Sequence, residues 1–248
     1  MANKLYVLTV ATPRAELHRH SYIPFLKDLL RHENAEFEVV PIVNLDKPKL
    51  LSQEDFDEAK KQFESLGVHL FTNQKDPSFS KAARTVYTEC YKLVDPKDTN
   101  MFLWLEDDWY FDFLYENHVL AWFNGFFNGK LKDKSMFLMT TYKYFCGNPS
   151  LFRYDLFKEI VETWKVNSAN VDPEFVHFEA AKSVQGAPEW RWTDPNAIML
   201  TWALFIDAGR SWRRTKQIGK RARHKTQETW FSCPNGTTEG EVPHAPKQ

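Results

Sequence analysis

Three consecutive carboxylates, Glu106-Asp107-Asp108, follow directly on the apolar run Phe102-Leu103-Trp104-Leu105 and precede the aromatic run Trp109-Tyr110-Phe111. Acids held that close repel one another unless a cation or a set of hydrogen-bond donors sits among them. Hard oxygen ligands of this kind suit Mg2+ or Mn2+. The plain alternative is an acidic turn facing water, and tryptophans on both sides argue against a freely solvated loop. A second charged stretch holds Arg210, Arg213, Arg214, Lys216, Lys220, Arg221, Arg223, His224 and Lys225, with no acid among them. Such a run reads as a solvated face, or as a nucleic-acid or membrane patch. A third stretch, Asp172-Pro173-Glu174, pairs an N-cap residue with proline at the first helical position.

The elements that must position these residues alternate. Residues 5–10 read as a first strand, broken by Ala11-Thr12-Pro13-Arg14. Phe25, Leu26, Leu29 and Leu30 recur at helical spacing within 22–31. Residues 37–43 read as a second strand, with Pro41 marking a strand end or an edge. Ser52 starts a helix whose apolar face is Phe56, Ala59, Phe63 and Leu66, and Gly67 ends it. A short third strand covers 68–71. A further helix starts at Ser80 as N-cap and closes at Asp95-Pro96. The fourth strand, apolar on both faces, delivers the acids. Strand and helix in this order imply a parallel sheet with right-handed crossovers. In open α/β sheets, ligands bind outside the carboxyl ends of such strands. No glycine-rich phosphate loop follows the first strand, which weighs against a dinucleotide fold or a P-loop.

The second half is less regular. It predicts a short helix over 119–127, a strand over 136–140, helices over 154–164 and from Asp172 to about 183, and a last strand over 204–206. Residues 186–195 form a loop rich in Trp and charge. Residues 234–248 read as a flexible tail.

The totals set outer bounds. The chain has 248 residues, 43% of them hydrophobic and 26% charged, with formal net charge −1, so it is no general polyanion binder. No apolar run approaches the length of a membrane span, and the first residues lack a signal peptide's apolar stretch. Cys90, Cys146 and Cys233 are scattered without metal-type spacing, which points to a reducing, cytoplasmic setting.

On these residues the chain resembles the GT-A glycosyltransferases of the nucleotide-diphospho-sugar transferase superfamily. Glu106-Asp107-Asp108 at a strand end looks like their D-x-D signature, in the E-D-D variant of N-acetylglucosaminyltransferase I-like enzymes. The resemblance implies a single α/β GT-A-like domain over 1–233. It has a mostly parallel central sheet with helices on both faces, a nucleotide-binding half to about 112 and a smaller acceptor half beyond. It implies that Asp108 holds Mn2+ or Mg2+, and that Glu106 and Asp107 face the nucleotide or sugar. Ser80-Lys81-Ala82-Ala83-Arg84 sits where relatives carry a G-x-x-x-A-R-N-like helix; Gly and Asn are absent, which leaves Arg84 near base or phosphate, or as an exposed helix arginine. Asp46 follows the second strand, where the family reads the nucleobase, though a turn Asp has the same appearance.

Gly147-Asn148-Pro149-Ser150-Leu151-Phe152-Arg153 resembles the segment after the acceptor-side strand. It implies a catalytic base about twenty residues on, at Glu174, with Asp172 as second choice or simply the cap. The basic stretch becomes a loop over the diphosphate, with Arg213 and Lys220 as contacts and His224 as a further metal ligand. The activity implied is metal-dependent, inverting transfer of a sugar from a nucleotide-diphospho-sugar to a glycan or other hydroxyl acceptor, with no nucleic-acid partner. The alternatives are a nucleotide or nucleic-acid binding protein without transfer chemistry, and a metal-dependent phosphohydrolase or nucleotidyltransferase.

Overall fold

The computed structural model describes residues 2–20, 22–31, 35–47, 51–73, 77–107, 109–111, 123–124, 127, 136–138, 150–167, 171–185, 197–199 and 205–207. Its first half runs β1 (Asn3–Ala11), α1 (Ala15–His20), α2 (Tyr22–Arg31), β2 (Glu38–Asp46), α3 (Gln53–Glu64), β3 (His69–Asn73), α4 (Phe79–Leu93) and β4 (Thr99–Trp104). Then follow β5 (Trp109–Phe111), β6 (Met136–Leu138), β7 (Ser150–Arg153), α5 (Tyr154–Val166), α6 (Pro173–Gln185), β8 (Ala197–Met199) and β9 (Phe205–Asp207).

Seven strands form one sheet in the order β3-β2-β1-β4-β7-β6-β8. β1, β2, β3 and β4 are mutually parallel, and β7 runs antiparallel to both β4 and β6. The α/β class with a mostly parallel sheet and helices on both faces is therefore as expected. The order explains the layering. From β1 to β3 the chain winds to one side, and from β3 to β4 it returns past β1. A right-handed crossover must change faces when its direction reverses. Accordingly α1, α2 and α3 cover one face, with Leu17, Phe25, Leu26, Phe56 and Phe63 buried against Leu5, Val7, Leu103 and Leu105. The other face takes α4, α5 and α6, with Val86, Tyr87, Phe157, Trp164 and Val176 against Tyr6, Leu8, Phe102 and Trp104. Odd and even positions of β1 and β4 thus serve opposite cores, which is why these strands read as unbroken apolar runs. Phe102 stacks on Phe157 with centroids 3.8 Å apart and on Tyr6 at 5.2 Å. Each such side chain contributes roughly 1.5–3 kcal/mol by leaving water.

Local signals held where a side chain closes a helix end. The Ser52 hydroxyl accepts the Asp55 N–H at 3.0 Å, capping α3, and Gly67 follows that helix at φ 68°. Others moved. α4 begins at Phe79, so Ser80 lies inside the helix and Ser78 occupies the cap position. Pro41 lies within β2, an interior strand. Pairing with β3 begins only at Ile42, so β2 still has an open edge where the proline stands. α1 follows directly on the break at 11–14, where no helix is expected before 22, and β5, β7 and β8 are likewise additions to the expected elements. The segment over 204–206 does not join the main sheet. β9 pairs antiparallel with β5, placing Trp109 opposite Asp207. The helix expected over 119–127 lies largely outside the described residues, although Phe123 and Phe127 pack on Phe37.

Candidate functional site

The winding direction reverses at β1, with β2 on one side and β4 on the other. A crevice opens outside the carboxyl ends of strands at such a point. The acid run is delivered there. The Leu105 N–H donates to the Leu8 carbonyl at 3.0 Å, and the Asp107 N–H to the Val10 carbonyl at 3.3 Å. The ladder with β1 therefore continues past Trp104 into the acids. Side-chain alternation continues with it, so Asp107 falls on the face of Leu103 and Leu105, and Glu106 on the face of Phe102 and Trp104.

This parity separates Asp107 from Glu106. Asp107 is 2% exposed. Its Oδ1 accepts from Arg14 Nη2 at 2.5 Å, and its Oδ2 accepts from the Thr12 backbone N–H at 3.2 Å. The same Oδ2 is hydrogen-bonded to Nε2 of His18, itself fully buried on α1. Burial by itself pushes this carboxyl's pKa up. The Arg14 charge and the hydrogen bonds from His18 and Arg14 outweigh it and hold the group below the ordinary carboxylate range. Both oxygens of Asp107 are thus engaged by protein groups. Glu106 is half-buried at the mouth. Asp108, Arg213, Lys220 and His224 lie outside the described residues.

Asp46 ends β2 at the same edge of the sheet as Thr12, one strand over from β1. It is 5% exposed, and Asn44 Nδ2 donates to its Oδ1 at 3.4 Å. Arg84 is half-buried on α4, the helix that follows β3 and packs on β1 and β2.

On the opposite face, Asp172 caps α6: its Oδ1 accepts the Glu174 N–H at 2.8 Å, and its carbonyl accepts the Val176 N–H at 3.2 Å. Glu174 stands on the first turn with its side chain reaching solvent. Desolvation first, and the neighbouring Asp172 charge second, push its carboxyl up to about 7. One turn on, the buried His177 meets the Tyr87 hydroxyl at 2.6 Å and sets its ring edge-on to Trp104 at 5.6 Å. α6 is thereby fixed to the strand that carries the acids.

Sequence reasoning passed over Arg14 and His18. Their signal was present: four positions apart, they lie on one side of the first helical turn after β1, closed by His18 N–H to the Arg14 carbonyl at 2.9 Å.

Among the described residues, Glu106 brings a carboxylate to the mouth, a donor type that suits a hard divalent cation. Mg2+ and similar ions take one or two protein carboxylates and fill the remaining positions with water and phosphate oxygens. Glu106 at the crevice, with Asp107 withdrawn, meets that modest demand. Among the described residues no group of three or more His, Cys, Asp or Glu converges on a metal position.

No family model matches the chain, and no curated protein matches it in sequence. Among solved structures it is similar to a glycosyltransferase involved in the glycosylation of the major capsid of PBCV-1, at 9% identity and TM-score 0.45, over 90% of this chain and 97% of that one. It is similar to the mannosyltransferase PcManGT of Pyrobaculum calidifontis in complex with GDP-Man and Mn2+, at 10% identity and TM-score 0.48, over 81% of this chain and 57% of that one. It is also similar to a nucleoside-diphosphate-sugar pyrophosphorylase from Vibrio cholerae RC9, at 8% identity and TM-score 0.40, over 90% of this chain and 99% of that one.

Proposed function

We propose that the chain is a metal-dependent glycosyltransferase that moves a sugar from a nucleotide-diphospho-sugar to a glycan or other hydroxyl acceptor, with inversion. One observation carries the reading: an acid run delivered at the reversal of the strand order and hydrogen-bonded onto the end of β1. Asp46 and Arg84 bind the nucleotide, Glu106 orients the ribose or sugar, and Arg213 and Lys220 offset the charge of the diphosphate. Asp108 and His224 hold Mn2+ or Mg2+, which when bound supplies charge neutralisation on the departing diphosphate. A Glu174 carboxylate oxygen takes the proton of the acceptor hydroxyl. With its pKa near 7 it is ionised often enough at neutral pH and basic enough to accept that proton. Asp172 keeps this residue in place by capping the turn that bears it.

The test is a thermal-shift panel of sugar nucleotides with and without Mn2+, followed by product analysis. Stabilisation that needs both partners, and release of a nucleoside diphosphate, are expected. Release of pyrophosphate would assign the site to nucleotidyl transfer instead. An Asp108→Ala protein with full turnover and donor affinity would remove the metal role. No helix among the described residues is long and apolar enough to cross a membrane. We place the reaction in the cytoplasm on the cysteine pattern.

A further inference from the structure

One short stretch of chain, Thr12 to His18, closes on Asp107 at three points. The Thr12 N–H and the Arg14 side chain come from the link between β1 and α1, and His18 from α1. The Arg14 side chain is 15% exposed and the His18 side chain 0%. The His18 ring leans on Phe63 of α3 at 5.2 Å, and among the described residues its Nδ1 has no hydrogen-bond partner. Its orientation is therefore set by Asp107 on one side and by packing on the other. A buried ion pair is a poor way to gain stability, because desolvation offsets most of the attraction and apolar residues of like volume do as well or better. What such a pair does provide is direction, since a guanidinium and an imidazole accept only a few geometries around a carboxylate.

Resting on the function proposed above, we propose that Arg14 and His18 are positioning residues for the acid turn. By engaging both oxygens of Asp107 they hold Leu105–Asp107 against β1, and so set the direction in which Glu106 leaves the sheet. The middle acid of the run then serves the protein rather than the ligand. With Arg14 upon it, Asp107 adds little net charge to the crevice, and Glu106 is left as the described acid of the run that faces a bound cation.

The test uses the full chain and two readouts: affinity for Mn2+ alone, from the free-ion paramagnetic resonance signal, and amide exchange across 105–111. His18→Leu and Arg14→Met are each expected to weaken Mn2+ binding by about tenfold or more, as loss of partners behind a ligand does, and to speed exchange in that segment. His18→Gln, whose amide nitrogen can occupy the place of Nε2, is expected to restore both. Arg19→Ala removes a cation from the same helix, one that pairs with Glu58 at the surface, and is expected to change neither. Folded His18→Leu and Arg14→Met proteins with wild-type affinity and exchange would overturn the assignment. Should they not fold, Asp107→Asn is read by the same two measures, and no change in either would be equally fatal. If the wild-type chain binds no Mn2+ while exchange still responds as stated, the metal reading fails and the positioning role stands.

Discussion

Asp107 and Glu174 are two acids on opposite faces of one sheet, and their surroundings drive them in opposite directions. Asp107 is nearly sealed, yet its carboxyl is held low because a guanidinium, an imidazole and a backbone N–H meet it. Glu174 reaches solvent at its edge, yet its carboxyl is raised to about 7, first by the desolvation of its inner side and then by the Asp172 charge beside it. Both acids lose hydration; at Asp107 a cation and hydrogen-bond donors outweigh that loss, and at Glu174 a second anion adds to it. The first arrangement suits a group that must never change state, and the second suits a group that must exchange a proton.

The largest test of that contrast removes the sealed acid. Asp107→Ala strands Arg14 and His18 in the interior, and is expected to cost about 3–5 kcal/mol in chemical denaturation. Glu174→Gln should leave the fold intact and lower kcat by about 10²–10⁴, with donor affinity unchanged. In the wild type, the acid limb of the kcat profile should fall near pH 7 and disappear in that variant.

Stability against pH sharpens the same contrast. Asp107 binds its proton less tightly folded than unfolded, so its contribution is complete above the ordinary carboxylate range and is lost as pH falls through its lowered value. Glu174 does the reverse. Its folded value lies above the ordinary 4.5, so wild-type stability should decline relative to Glu174→Gln as pH rises from 4.5 to about 7. Denaturation midpoints of the two proteins, measured across that interval, check the sign. The smallest effect belongs to Asp172→Asn. It keeps a capping side chain but removes the neighbouring charge, so the acid limb of kcat should move to lower pH with little change in stability.

β1 and β4 were legible because burial on both faces writes itself as an unbroken apolar run. β5 and β8 are three residues each and β7 is four. Pieces that short have no measurable period, and only their neighbours make them strands. α1, six residues after a proline-containing break, is below the length at which helical spacing can be told from chance.

At the site, the acids were visible but their division of labour was not. Reading them as one cluster hides the alternation that continues from Leu103 and Leu105 to Asp107 and turns it to the interior. Its partners were hidden for a different reason. His18 and Asp107 are 89 positions apart, and a pairing across that distance leaves no local pattern. Asp172 needed only its own next two residues, and its capping was readable from Asp-Pro-Glu alone.

The hydrogen bond between Tyr87 and His177 joins more than two helices. Tyr87 follows Arg84 by less than one turn, and His177 follows Glu174 by the same interval. One rigid bolt, seated under Trp104, thus fastens the helix proposed to grip the nucleotide to the helix proposed to receive the acceptor's proton. Neither can swing away without unseating the other, so any opening of this crevice to admit substrates has to come from its rim and not from a hinge between these two supports.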